Sequence, residues 1–174
     1  MRYVQILTAI AVTLALAGTA MAQLDSPQAQ AQRRFKGSSW STDTGSAQSY
    51  ARNYVEYARS VPTVATEIAK EASDAIGDYI TKSVAHMAWM RGEAKQTNDK
   101  VSLASIDVID KSLADAKNAH DEMHGICLQA TVDKAASMKC CKEIDASLAK
   151  AIDEHAKLMK RLGLAIPPAK ASTK

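Results

Sequence analysis

The side chains that bind soft metal ions are confined to one part of this chain. Residues 23–85 contain no His, Met or Cys, whereas residues 86–159 contain four His, five Met and three Cys. Thiolate, thioether and imidazole together form a donor set that favours Cu(I), and Zn²⁺ is the second choice, through Cys and His alone. We therefore expect any metal site to be built from residues 86–159.

Many of these donors recur three or four residues apart, the spacing that places side chains on one face of a helix. The groups with this spacing are His86 with Met90, His120 with Met123, His124 and Cys127, Met138 with Cys141 (and Cys140 beside them), and His155 with Met159. Several of them occupy positions where an apolar residue would ordinarily face a protein core. The spacing predicts that they point into the molecule.

Four helical patterns position these residues. The apolar spacing predicts helices over residues 46–60, 63–95 and 100–130, and a fourth that begins after Thr131 or Asp133 and ends near Leu162. Pro62 separates the first two helices, the polar segment 96–99 separates the next two, and Gly163 suits the end of the last. Because short connections make neighbouring helices antiparallel, the prediction is an all-α, up-down-up-down four-helix bundle with one short N-terminal helix.

Folding the helices back at their turns sorts the donors into two levels. A turn near residue 132 places His124 opposite Cys141 and Cys127 opposite Met138, and a turn near residue 97 brings His86 close to the level of His155. The first cluster has Cys127, Cys141 and His124 as primary ligands, with His120, Met123, Met138 and Cys140 as auxiliaries. The second cluster contains His86, Met90, His155 and Met159. The sequence thus predicts a metal-binding protein, with copper as Cu(I) favoured over zinc.

Two other interpretations remain open at this point. In an oxidising compartment Cys127 could form a disulfide with Cys140 or Cys141, which would make the chain a non-catalytic, disulfide-stapled structural or interaction module of the cell envelope with a protein partner. Haem held without covalent attachment by His and Met inside the bundle is the third alternative. Covalent haem attachment is not supported, because the chain has no Cys-x-x-Cys-His motif.

The sequence carries no motif that predicts catalysis. Phosphate-binding loops, nucleotide fingerprints and His-Glu-x-x-His are missing from the chain. A ferritin-like di-iron centre requires paired Glu-x-x-His motifs, and the segment from Asp121 to His124 is the one near match. We therefore expect a protein that is not an enzyme.

The N-terminus resembles an export signal. Residues 1–22 combine Arg2, an apolar run and the small-x-small sequence of residues 20–22, which is typical of a cleaved signal peptide. We expect an exported protein, periplasmic or secreted, with no membrane span after cleavage. Residues 23–45 are rich in Gln, Ser and Thr and are predicted to be a flexible leader, residues 46–163 the bundle domain, and residues 164–174 a disordered tail.

Composition narrows the functional classes further. The chain has 174 residues, a formal net charge of +3, 47% hydrophobic residues and 24% charged residues. These fractions are ordinary for a soluble globular protein, and the weak charge argues against nucleic-acid binding. A single Phe among 174 residues disfavours an aromatic-rich β fold. Monomer and dimer are both compatible with this composition.

Overall fold

The architecture is all-helical over residues 26–164, which a computed structural model describes. Four helices follow one another in the chain: α1 (Pro27–Ser60), α2 (Thr66–Gln96), α3 (Lys100–Cys127) and α4 (Lys134–Arg161). The described residues contain no strand. The all-α prediction is confirmed. The predicted signal peptide, residues 23–25 of the predicted leader and residues 165–174 of the predicted tail lie outside the described residues.

Local sequence sets the helix ends. Ser26, Asp99 and Asp133 each accept a hydrogen bond from the backbone N–H three residues on, so that three of the four helices begin at a side-chain cap. Pro62 follows α1, and Gly163 has a φ of +67°, the left-handed conformation that commonly ends a helix. Gly125 does not end α3 early, since the helix continues to Cys127.

The first helix differs most from the prediction. Residues 27–45 are helical and belong to α1, which has 34 residues, so the predictions of a flexible leader over 23–45 and of a short first helix are wrong for these residues. A regular three-four spacing continues through this segment, but Gly, Thr and Ala occupy much of it, and the pattern therefore does not look apolar. The buried residues of α1 are Gly37, Trp40, Thr44, Ala47, Ala51, Tyr54, Val55 and Ala58.

The four helices pack in a closed ring. Helix α1 contacts α2 and α4, and α3 contacts the same two helices. The core between them is formed by aliphatic residues of α2, α3 and α4 together with Trp40 of α1. None of the helices in residues 26–164 is long and apolar enough to cross a membrane.

The inner faces of α2, α3 and α4 supply most of the large aliphatic side chains of the core. In α2, Ile80 and Met87 are buried, whereas Ile68 is 42% exposed. In α3 and α4, Ile109, Leu113, Ile144 and Leu148 are all buried.

Replacement of Trp40 tests whether the N-terminal half of α1 belongs to the domain. Trp40 is fully buried, so we expect Trp40→Ala to lower the free energy of unfolding by about 3–5 kcal/mol. Urea denaturation followed by circular dichroism measures the change. The control is Phe35→Ala, because Phe35 is 67% exposed and its loss should change stability by no more than about 0.5 kcal/mol. If Trp40→Ala and Phe35→Ala had the same free energy of unfolding, Trp40 would not belong to the core and residues 27–45 would be the predicted flexible leader.

Candidate metal centre

The three cysteines lie in the core near the turn between α3 and α4. Cys127, Cys140 and Cys141 are buried, and all three are free thiols. The thiol of Cys141 donates a hydrogen bond to the thioether sulfur of Met123, with 3.3 Å between the two sulfur atoms. The structure therefore brings a thiol of α4 against a thioether of α3, close to the level that the sequence predicts.

Burial keeps these thiols protonated. It raises the pKa of Cys141 to about 12, and the neighbouring Cys127 and Cys140 raise it further because their thiolates would repel a thiolate at Cys141. Burial likewise raises the pKa of Cys127 to about 11, with repulsion from Cys140 as the next cause. The pKa of Cys140 is raised by burial and then by the carboxylate of Glu122. These thiols become thiolates only if a cation displaces their protons.

A tyrosine of α1 lies beside the thiols. Tyr54 is buried, and its hydroxyl donates a hydrogen bond of 2.9 Å to Ser137 Oγ on α4. Burial raises the pKa of Tyr54 to about 12, and the thiols at Cys127 and Cys141 contribute to the increase. Nothing in the residue spacing along α1 indicates that Tyr54 lies beside the thiols.

The two histidines of α3 are directed at α2. His120 Nε2 lies 2.9 Å from the backbone oxygen of Ser73 and donates to it, and His124 Nδ1 lies 3.3 Å from Ser73 Oγ. His124 Nδ1 also lies 3.8 Å from a carboxylate oxygen of Asp74. Both imidazoles border an open groove between α2 and α3. Apart from the carboxylate of Asp121 on α3, which lies 3.6 Å from His120 Nδ1, their polar partners are on α2. Neither imidazole bonds to Cys141, although the predicted first cluster requires it.

Met138 lies at the edge of the core and has no hydrogen bond to the thiols in the described residues. It is half-buried and borders a surface groove formed by α4 alone, together with Ala135, Lys139 and Lys142. The predicted first cluster therefore reduces to the three cysteines and Met123.

The predicted second cluster divides into separate places. The imidazole of His86 lies 3.2 Å from the carboxylate of Asp43 on α1, and Met90 borders a cavity of about 300 Å³ near Leu158. His155 and Met159 remain together on α4. Of the predicted second cluster, only His155 and Met159 lie beside the same residue, Gly37 of α1.

His155 is enclosed by α1. Its ring stacks on Trp40 with 4.1 Å between the ring centroids, and the side chain is buried. Burial lowers the pKa of His155 to about 4, so the imidazole is neutral at pH 7. Trp40 lies in the segment predicted as a leader, where it is a bulky side chain that could dock on the domain, and the residue spacing does not pair it with His155.

Within residues 26–164, no group of three or more His, Cys, Asp and Glu side chains is arranged to hold a metal ion. The soft donors that the structure brings together in this part of the chain include a methionine in each case, Met123 beside Cys141 and Met159 on the same helix as His155. Low coordination by sulfur and imidazole fits Cu(I) better than Zn²⁺, which almost always takes four N, O or S ligands in structural sites.

The burial of His155 predicts a dependence of stability on pH. Its pKa in the folded protein is about 4, below the ordinary value of 6.5, so the unfolded chain binds more protons between these values. The stabilisation is complete above about pH 6.5 and decreases as the pH falls towards 4, by about 3 kcal/mol in total. Urea denaturation at several pH values should show that His155→Phe loses this part of the dependence. Parallel curves for the two proteins would contradict the assignment.

The state of the thiols predicts their reactivity. Since the thiolate is the reactive form, we expect the native protein at pH 8 to react slowly with a chromogenic disulfide reagent and the denatured protein to react quickly at three thiols. The control is a single-cysteine protein with Cys127→Ala and Cys141→Ala, which should show one thiol after denaturation. A count of one in the unaltered, denatured protein would demonstrate a disulfide.

No protein family, curated protein or solved structure matches this chain. The function is therefore inferred from its own side chains, and the features that carry chemistry are two pairs of buried soft donors, one at Cys141 and Met123 and the other at His155 and Met159.

Proposed function

We propose that this protein binds a soft metal ion, Cu(I) in the first place, through Cys127, Cys141 and Met123. The observation that carries the proposal is the 3.3 Å contact between Cys141 Sγ and Met123 Sδ in the core, beside the buried free thiol of Cys127. Two thiolates and one thioether form a soft donor set of low coordination number. The metal would be buffered, stored or delivered, and the protein would not be an enzyme.

Mutual repulsion between the thiolates favours an ion at this place. Each thiolate raises the cost of ionising its neighbour, and a cation between them removes that repulsion. Cu(I) therefore exchanges for thiol protons, and the affinity should increase with pH. Because the donors are buried, an ion must enter through transient opening of the helices, and slow exchange is more useful in storage or buffering than in rapid turnover.

The alternative metal, Zn²⁺, would need the imidazoles of α3. His120 and His124 are engaged with Ser73 on α2, and thioethers are poor ligands for Zn²⁺. These two facts support Cu(I) over Zn²⁺.

The topology of the bundle and the export of the protein are also part of the proposal. We infer an up-down-up-down bundle, which is supported by contacts such as Arg33 at the start of α1 with Glu93 near the end of α2. Residues 1–22 would direct export to the periplasm or the exterior. In such an oxidising compartment disulfide formation would compete with metal binding for the thiols. Their burial and the bound metal would protect them from oxidation.

Titration of the reduced, full-length protein with Cu(I) under anaerobic conditions, against a chromophoric chelator, tests the proposal. We expect Cys127→Ala and Cys141→Ala each to lower the affinity of the thiol site by at least about 100-fold. Even the loss of a residue that only orients a metal ligand lowers the affinity by about 10–100-fold. Met123→Leu should cost less, about tenfold, since it removes the weakest donor while conserving volume.

The matched controls are His124→Gln and Met138→Leu, which change donors outside the proposed ligand set. His124 bonds to Ser73 of α2 and Met138 borders a groove of α4, so we expect both variants to leave the affinity unaltered. Circular dichroism of each variant verifies that the fold is retained. If both cysteine variants bind Cu(I) as tightly as the unaltered protein, the thiol site is refuted. If His124→Gln abolishes binding, the predicted ligand set with His124 replaces the one proposed here.

A further inference from the structure

The imidazole of His155 has an unsatisfied nitrogen deep in the core. His155 is 2% exposed, and its Nε2 atom has no hydrogen-bond partner in the described residues. Buried polar atoms are nearly always paired, because burial without a partner costs free energy. An unpaired ring nitrogen at this place therefore requires an explanation.

The neighbours of the ring determine which nitrogen carries the proton. Ser41 Oγ donates its hydrogen to the backbone oxygen of Gly37 at 3.1 Å. Ser41 Oγ also lies 3.5 Å from His155 Nδ1, and while its hydrogen is donated to Gly37 it is free to accept from that nitrogen. We therefore assign the ring proton to Nδ1, which leaves a lone pair on Nε2. An imidazole oriented by one nitrogen and free at the other is the usual form of a metal-binding histidine.

A thioether lies at the same place. A Cβ atom on Gly37 would be 2.8 Å from Met159 Sδ and 3.7 Å from His155 Nε2, and it would overlap with the methyl group of Met159. Both donor atoms therefore border one notch in the backbone of α1, which exists because residue 37 is glycine. Trp40 closes the face of the imidazole and excludes water.

We propose that His155 Nε2 and Met159 Sδ form a second, thiol-free site for a soft monovalent cation such as Cu(I), in the notch at Gly37 beneath Trp40. The site extends the soft-metal function proposed above, but it uses different residues and does not require the thiols. Both donors are neutral, and the cost of burying an ion increases steeply with its charge, so a monovalent ion is favoured over a divalent one. Imidazole and thioether are both ligands that Cu(I) accepts.

The two sites should differ in the residues that they require. Binding at Cys127 and Cys141 displaces thiol protons, whereas the site at His155 and Met159 contains no thiol. We therefore expect the second site to persist in a chain without cysteine.

The experiment uses the full-length chain with Cys127→Ala, Cys140→Ala and Cys141→Ala, titrated anaerobically with Cu(I) against a chelator. Trp89→Phe in the same chain leaves Trp40 as the one tryptophan, so that its fluorescence reports on the ring that stacks against His155. We expect one Cu(I) per chain and a change in Trp40 emission on binding.

Variants of the donors identify the site. His155→Phe preserves stacking on Trp40, and Met159→Leu preserves volume, and we expect each to lower the affinity at least about tenfold. Gly37→Ala should also weaken binding, because its Cβ would displace the thioether. The matched controls are His86→Gln and Met90→Leu, whose parent side chains lie elsewhere and should not contribute.

Each outcome separates the two proposals. If the cysteine-free chain binds no Cu(I) while the unaltered protein does, the His155 site is refuted and the thiol site stands. If the cysteine-free chain and the unaltered protein bind one Cu(I) equally, the thiol site fails and the His155 site stands. If His86→Gln or Met90→Leu weakens binding as much as Met159→Leu does, the notch at Gly37 is not the site.

Discussion

Packing of the inner face of α1 between α2 and α4 is the constraint on which both groups of soft donors depend. Trp40 covers His155, and Tyr54 lies beside the thiols, so that one helix encloses two places about four turns apart. Without α1, these donors would be exposed to water and their pKa values would approach the ordinary ones. The small residues of α1, such as Ala47 and Ala51, allow its backbone to approach the other helices closely.

Burial has opposite consequences for the two kinds of donor. A thiol in the core is kept in its protonated form, which is a poor ligand, because the thiolate is the form that burial disfavours. An imidazole in the core is kept neutral, which is the form that binds metal, because burial disfavours the imidazolium ion. The same apolar environment therefore holds the Cys141 thiol in its protonated form and the His155 imidazole in its neutral form.

Most helix ends could be predicted from the sequence because the residues that set them act on the adjacent turn of the same helix. Asp99 and Asp133 cap the helices that follow them, and Pro62 and Gly163 terminate others. Ser26 followed by Pro27 is an equally good start for α1, but the polar composition that follows concealed it. The opposition of α3 and α4 was also predicted closely, since Cys141 meets Met123, one residue from the expected His124. A short turn between two antiparallel helices pairs residues that are equally far from the turn, so the position of the turn is enough to predict which residues lie opposite one another.

What the sequence by itself determined is the all-helical class, most helix ends, and the concentration of His, Met and Cys in residues 86–159. Only the tertiary structure decided the direction in which each donor points. His124 and Cys127 are three residues apart on one helix, yet His124 bonds to Ser73 of α2 while Cys127 is buried near the thiols of α4. The physical reason is that spacing defines a helix face only to within about a quarter of a turn, whereas each helix meets two neighbours, and small rotations determine which neighbour a side chain contacts.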